Sequence, residues 1–101
     1  MTEATYLILL SLREVRHGYG VMQHISTITH GRVNLGVGTL YGAINLLTEK
    51  GWIEPAGEDS RRKLYHITPE GIRALEMEML RLSELLSLGK SKAITSEGKE
   101  E

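Results

Sequence analysis

Gly38-Thr39-Leu40-Tyr41-Gly42 opens a helical run that continues to Lys50-Gly51, and Trp52-Ile53-Glu54 follows at once. A polar turn comes next, and then Arg61-Arg62-Lys63-Leu64-Tyr65-His66. This order predicts a helix followed by a hairpin whose second strand opens with three cations. Every other feature of the chain bears on whether that pairing serves one surface.

Upstream, an uninterrupted stretch from Thr2 to about Arg16 is expected to be helical, with Thr2 as its cap. Its Leu7, Ile8, Leu9, Leu10 and Leu12 point almost everywhere on a helical wheel. A helix apolar all round has to be covered on several sides, which points to a partner chain. His17-Gly18 breaks it, and a second helix is expected from about Tyr19 to His30, with Val21, Met22, Ile25 and Ile28 in one stripe. A short link leads to the third helix, about Val37 to Lys50. Its Leu40, Ala43, Ile44 and Leu47 face inward, and Gly51 ends it.

Trp52 to Ala56 and Lys63 to Thr68 read as strands, with Gly57-Glu58-Asp59-Ser60 as the turn. Alternation alone leaves the inward face of the second strand undecided. Thr68-Pro69-Glu70 then starts a last helix through a cap, a proline at the first position and an acid in the first turn. That helix is expected to end near Leu88, about 30 Å on, and the polar tail from Gly89 is expected to be disordered. The implied fold class is mainly α (α+β), a winged helix-turn-helix with a two-stranded wing and a long C-terminal dimerisation helix. The domains would be residues 1–68 for DNA binding, 69–88 for dimerisation and 89–101 for the tail.

Composition sets the limits. In 101 residues, 41% are apolar, yet there is no Phe and one Trp, so the core must be aliphatic. The absence of Cys excludes disulfides and thiolate metal sites and fits a reducing cytoplasm. The longest apolar run, Leu7 to Leu10, is far short of the ~20 residues a membrane span needs, and no leader pattern stands at the N-terminus. A soluble cytoplasmic protein without membrane contact is expected. Net charge is −1, which argues against nucleic acid if taken alone. Most acid lies from Glu70 onward, however, and Arg61-Arg62-Lys63 is the only run of three cations.

Three constellations carry chemistry. On the outer face of the third helix, Asn45 can pair bidentately with adenine, a contact worth about 1–3 kcal/mol of discrimination. Thr39 and Tyr41 can donate hydroxyls to phosphates or bases. Gly42 costs roughly 1 kcal/mol inside a helix, which close approach of a phosphate or a helix would justify. A solvated polar face would use the same residues. In the second constellation, Arg61, Arg62 and Lys63 can neutralise phosphates, although Glu58 and Asp59 stand ready to neutralise them instead. In the third, Ile72, Leu75, Met79, Leu82 and Leu86 recur at intervals of three and four, a heptad seam. With Tyr6 and Leu10 of the first helix they form the expected homodimer interface. Nothing in the pattern of His17, His24, His30 and His66 suggests a metal, and neither a phosphate-cradling Gly loop nor a serine with base and orienter is present. No enzyme, metal or cofactor is expected.

These residues resemble the PadR transcriptional regulators, specifically the short members with a single C-terminal helix, over about residues 4 to 80. The likeness rests on Leu7-Ile8-Leu9-Leu10-Ser11-Leu12, His17-Gly18-Tyr19-Gly20, Leu35 through Ile44, Gly51-Trp52-Ile53-Glu54, and Arg61 through Gly71. The resemblance implies a homodimeric regulator, usually a repressor, released from its operator by a small molecule or stress signal. It further implies that the first helix packs on the partner's last helix, that Thr39 and Tyr41 face the groove, and that Arg61 to Lys63 form the wing. Two departures stand out. Gly36-Val37 replaces the Ser-Pro of many relatives, leaving the third helix without a side-chain cap. The only Trp is Trp52, so the last helix lacks the aromatic on which some relatives stack drugs. The expected function is repression at a palindromic operator in duplex DNA. The alternatives are a lipophilic-ligand sensor using Met77, Met79 and Tyr6 at the dimer interface, and a protein-interaction module without DNA binding.

Overall fold

The computed structural model describes residues 1–99, with side chains through 91; residues 100–101 of the expected tail lie outside the described residues. Seven elements follow in order: α1 (Glu3–Ser11), β1 (Arg16–His17), α2 (Gly18–Ile28), α3 (Val37–Glu49), β2 (Ile53–Asp59), β3 (Arg62–Ile67) and α4 (Pro69–Lys99). The chain is α+β, as the sequence suggests.

α1 begins as expected, the Thr2 hydroxyl accepting the Thr5 N–H at 3.1 Å. It stops at Ser11 rather than near Arg16, because the carbonyls that would continue it are taken elsewhere. Ile67 N–H donates to the Leu12 carbonyl at 2.9 Å, and Arg16 Nε donates to the Ser11 carbonyl at 2.8 Å. Arg16 and His17 instead form a short strand against Tyr65 and Leu64, so the sheet is antiparallel with order β1-β3-β2. The two-stranded wing is thereby joined by a third strand.

The hairpin is also longer than its alternation suggested. Its turn is Ser60-Arg61, both at positive φ (53° and 70°), which matches the right-handed twist of the flanking strands. Gly57, expected in the turn, lies within β2 at φ 101° and takes up the irregularity between Pro55 and Glu58. Tyr65 and Ile67 supply the inward face of β3, with Ile53 paired to Ile67.

The core is aliphatic: Ile8, Leu9, Leu12, Val21, Ile25, Leu40, Ile44, Leu47, Ile53, Ile67 and Leu75 are buried, and Trp52, Tyr6 and Tyr65 pack at its margin. The first helix therefore needs less help than its wheel implied. Leu7, Ile8, Leu9 and Leu12 are buried by this one chain, and Leu10 is half-buried. Most of the apolar surface of α1 is thus covered within the chain itself.

Thr68 fastens α4 to the body, its hydroxyl donating to the Gly51 carbonyl at 2.6 Å and accepting the Gly71 N–H at 3.0 Å. The helix passes the expected end at Leu88 and runs on through Gly89 to Lys99. An internal Gly lowers helix stability by about 1 kcal/mol without forcing a stop, and the residues that follow contain no Pro. Among the described residues, no helix is long and apolar enough to cross a membrane.

Candidate nucleic-acid interface

α3 buries Leu40, Ile44 and Leu47 and turns Thr39, Tyr41, Gly42 and Asn45 outward. Gly36 stands at its N-cap with no side-chain hydrogen bond, as the missing Ser implies. The side chains of Thr39 and Asn45 make no hydrogen bond within the described residues. Nothing lies within 4 Å of a Cβ built on Gly42, so no packed helix accounts for that glycine. Tyr41 is different: its hydroxyl lies against Gly18, where any Cβ would collide with it. That close approach sets the spacing between α3 and the start of α2.

The wing closes the other side. Arg61 occupies the turn, and Arg62 and Lys63 open β3; all three are exposed. Glu58 and Asp59 sit across the hairpin from Lys63 and Arg62. The ion pairs among the described residues are those of Glu14, Glu70 and Glu78, so Arg61, Arg62 and Lys63 form none with these neighbours.

Between wing, α2 and α3 lies a cleft of about 450 Å³, lined by His17, Gly18, Tyr19, Tyr41, Arg61, Arg62, Lys63 and Tyr65. It contains three phenols, three cations and no acid. Burial pushes the Tyr65 phenol above its usual pKa, and Tyr41 beside it adds to the shift, so Tyr65 remains a hydrogen-bond donor at neutral pH. His17 caps α2, its Nδ1 accepting the Gly20 N–H at 3.0 Å, while its Nε2 lies 3.1 Å from Nη1 of Arg62. Such a surface offers N–H and O–H donors and positive charge to an anion.

The structure brings Tyr41 together with Arg61, Arg62 and Lys63 in this cleft. Thr39, Gly42 and Asn45 lie along the same α3 face but outside it. The sequence assigns no site role to His17, Tyr19 or Tyr65. The signal missed was strand β1, whose register sets His17 opposite Leu64, next to the wing cations.

The expected interface residues separate into two groups. Leu75 is buried in the protomer's own core, with Tyr6, Leu10 and Met79 packed at its edge, whereas Ile72, Leu82 and Leu86 are exposed. The residues considered for a ligand do not share one cavity. Met77 borders an apolar groove of about 740 Å³ with Trp52, Leu46 and Leu80. Met79 borders a different cleft with His66 and Ile72, and Tyr6 borders neither. Among the described residues, no group of His or acidic side chains could hold a metal ion.

Residues 7–77 match the sequence model described as the transcriptional regulator PadR-like family. A PadR family transcriptional regulator from Eggerthella lenta has a similar structure, with 29% identity, TM-score 0.67, and coverage of 90% of this chain and 77% of that one. A transcriptional regulator from Clostridium thermocellum gives 25% identity and TM-score 0.73 over 88% of this chain and 90% of that one. Bacillus subtilis PadR, solved in complex with operator DNA, shares the fold at 22% identity and TM-score 0.67, over 77% of this chain and 47% of that one. A 37.1 kDa protein of a Streptomyces fradiae transposon is 36% identical over 85 residues, 80% of this chain; the chain spans 24% of that relative's length.

Proposed function

The chain belongs to the PadR-like family of transcriptional regulators, and we propose that it binds a palindromic operator as a homodimer and represses transcription there. One observation carries the reading: an acid-free cleft of cations and phenols adjoins an outward polar face of α3. In this reading α3 enters the major groove. Asn45 reads a base edge, Thr39 and Tyr41 hold the helix in register, and Arg61, Arg62 and Lys63 grip phosphates. The B. subtilis PadR complex with operator DNA is a precedent for this fold on DNA. The near-neutral total charge is no obstacle, because the acids concentrate from Glu70 onward and not in the cleft.

Dimerisation rests on α4, which carries exposed Leu82, Leu85 and Leu86 beyond the body of the protomer. A two-fold pair would present two α3 helices to half-sites about one helical turn, 34–36 Å, apart. A cytoplasmic location is part of the proposal, since the operator lies on the chromosome.

The test is anisotropy with the duplex immediately upstream of the protein's own gene, titrated at several salt concentrations. Retention should weaken steeply as salt rises, and Arg62→Ala should lower affinity for all sequences alike while flattening the log–log salt slope by about one unit. An unchanged slope removes the wing from the interface. Retention indifferent to salt would leave a protein-interaction module as the better account.

A further inference from the structure

His17 occupies a junction that neither α3 nor the wing explains. Its Nδ1 is committed to α2, accepting the Gly20 N–H at 3.0 Å. A ring nitrogen that accepts a hydrogen bond carries no proton, so in the tautomer that keeps this cap the ring hydrogen is on Nε2. Nε2 is 3.1 Å from Nη1 of Arg62, and a guanidinium nitrogen can only donate. Two N–H groups thus converge where a hydrogen bond between them is impossible. Strand pairing enforces the meeting, because His17 in β1 is registered against Leu64, two residues along from Arg62.

Converging donors need a shared acceptor. The surroundings specify its charge, for the cleft also holds Arg61, Lys63 and the hydroxyls of Tyr41 and Tyr65, with no carboxylate among its walls. We propose that His17 Nε2–H and the Arg62 guanidinium form a two-donor seat for one backbone phosphate of duplex DNA. The inference deepens the DNA-binding reading and rests on it. His17 adds a contact of its own and positions Arg62, so the wing is fixed to the start of α2 as well as to the phosphate. The seat carries no base information, because a phosphate oxygen is the same at every step.

His17→Ser tests this while keeping the fold. A serine hydroxyl is a good helix cap and can still accept the Gly20 N–H, but it has no donor where Nε2 stands. Binding to operator and to random duplex should weaken by the same factor, about tenfold, as expected for loss of one charge-assisted hydrogen bond. In a double-mutant cycle, His17→Ser should cost little once Arg62→Ala is present, since both serve one phosphate. Unchanged affinity in His17→Ser, with the salt slope still flattened by Arg62→Ala, overturns the seat and leaves the wing reading intact. Additive losses overturn the shared phosphate. No effect from either substitution defeats the wing reading itself. A readout free of any folding defect uses the native protein on duplexes with a single neutral methylphosphonate. One position should weaken the native protein more than it weakens His17→Ser and leave the His17→Ser/Arg62→Ala double variant unaffected, and the absence of such a position overturns the proposal.

Discussion

α1 and the Leu82–Leu88 stretch of α4 both repeat leucines at short intervals, yet the chain treats them oppositely. α1 and its C-cap carry Leu7, Ile8, Leu9 and Leu12 into the core of the chain, with the last three fully buried. α4 contributes Leu75 to that core and then runs outward with Leu82, Leu85, Leu86 and Leu88 exposed. The difference lies in position. α1 is short and surrounded by α2, α4 and the sheet edge, whereas α4 outruns the body that could cover it. All-round apolarity therefore does not by itself mark an uncovered surface; the position of the segment in the fold decides it.

The contrast is broken most sharply at the far end of α4. Leu82→Asp would place a carboxylate in each half of a two-fold seam, and each uncompensated charge costs several kcal/mol. Association should fall by on the order of 10³-fold or more, giving monomers in sedimentation at micromolar concentration, with helicity largely retained. A dimer that survives the substitution moves the interface away from Leu82.

In α1 the expected loss is of folding rather than of assembly. Leu9→Ala removes a fully buried side chain and should cost about 2–5 kcal/mol, a large share of the ~5–15 kcal/mol that holds a domain together. Chemical denaturation read by circular dichroism checks this. If Leu9→Ala instead lowers the dimer's affinity and leaves its denaturation midpoint unchanged, α1 does serve the partner, and the two helices are alike after all.

How much of this was legible follows the range of the interactions. α3 is set by local signals, an apolar stripe of Leu40, Ile44 and Leu47 closed by Gly51, and its span was readable to within one residue. The wing cations were readable for the same reason. β1 was not, because Arg16-His17 becomes a strand only by pairing with Tyr65 and Leu64, far along the chain. The hairpin turn lies further along than expected because Gly57 reads in sequence as its first residue. Ser60-Arg61 adopts positive φ without a glycine's signature, and Gly57 serves a bulge instead. The heptad seam was visible, but spacing alone cannot separate Leu75, which the protomer's core claims, from Leu82, which it cannot reach. In sequence His17 reads only as part of a helix break, since its contact with Arg62 depends on the same long-range pairing.

The smallest expected effect sits at the base of α4. Thr68 is buried, and its one hydroxyl both caps α4 at Gly71 and donates to the Gly51 carbonyl at the end of α3. Thr68→Ala loses the cap, worth about 1 kcal/mol, and leaves the Gly51 carbonyl without this donor. The sum, about 1–3 kcal/mol, should appear as a melting temperature lower by roughly 5–20 °C, smaller than the loss in Leu9→Ala. DNA binding well below the melting point should be retained, because neither α3 nor the cleft contains Thr68. A loss of DNA affinity at a temperature where the variant is folded would mean that the base of α4 sets the pose of α3. The helix would then govern the pose of α3 and not only project from the body.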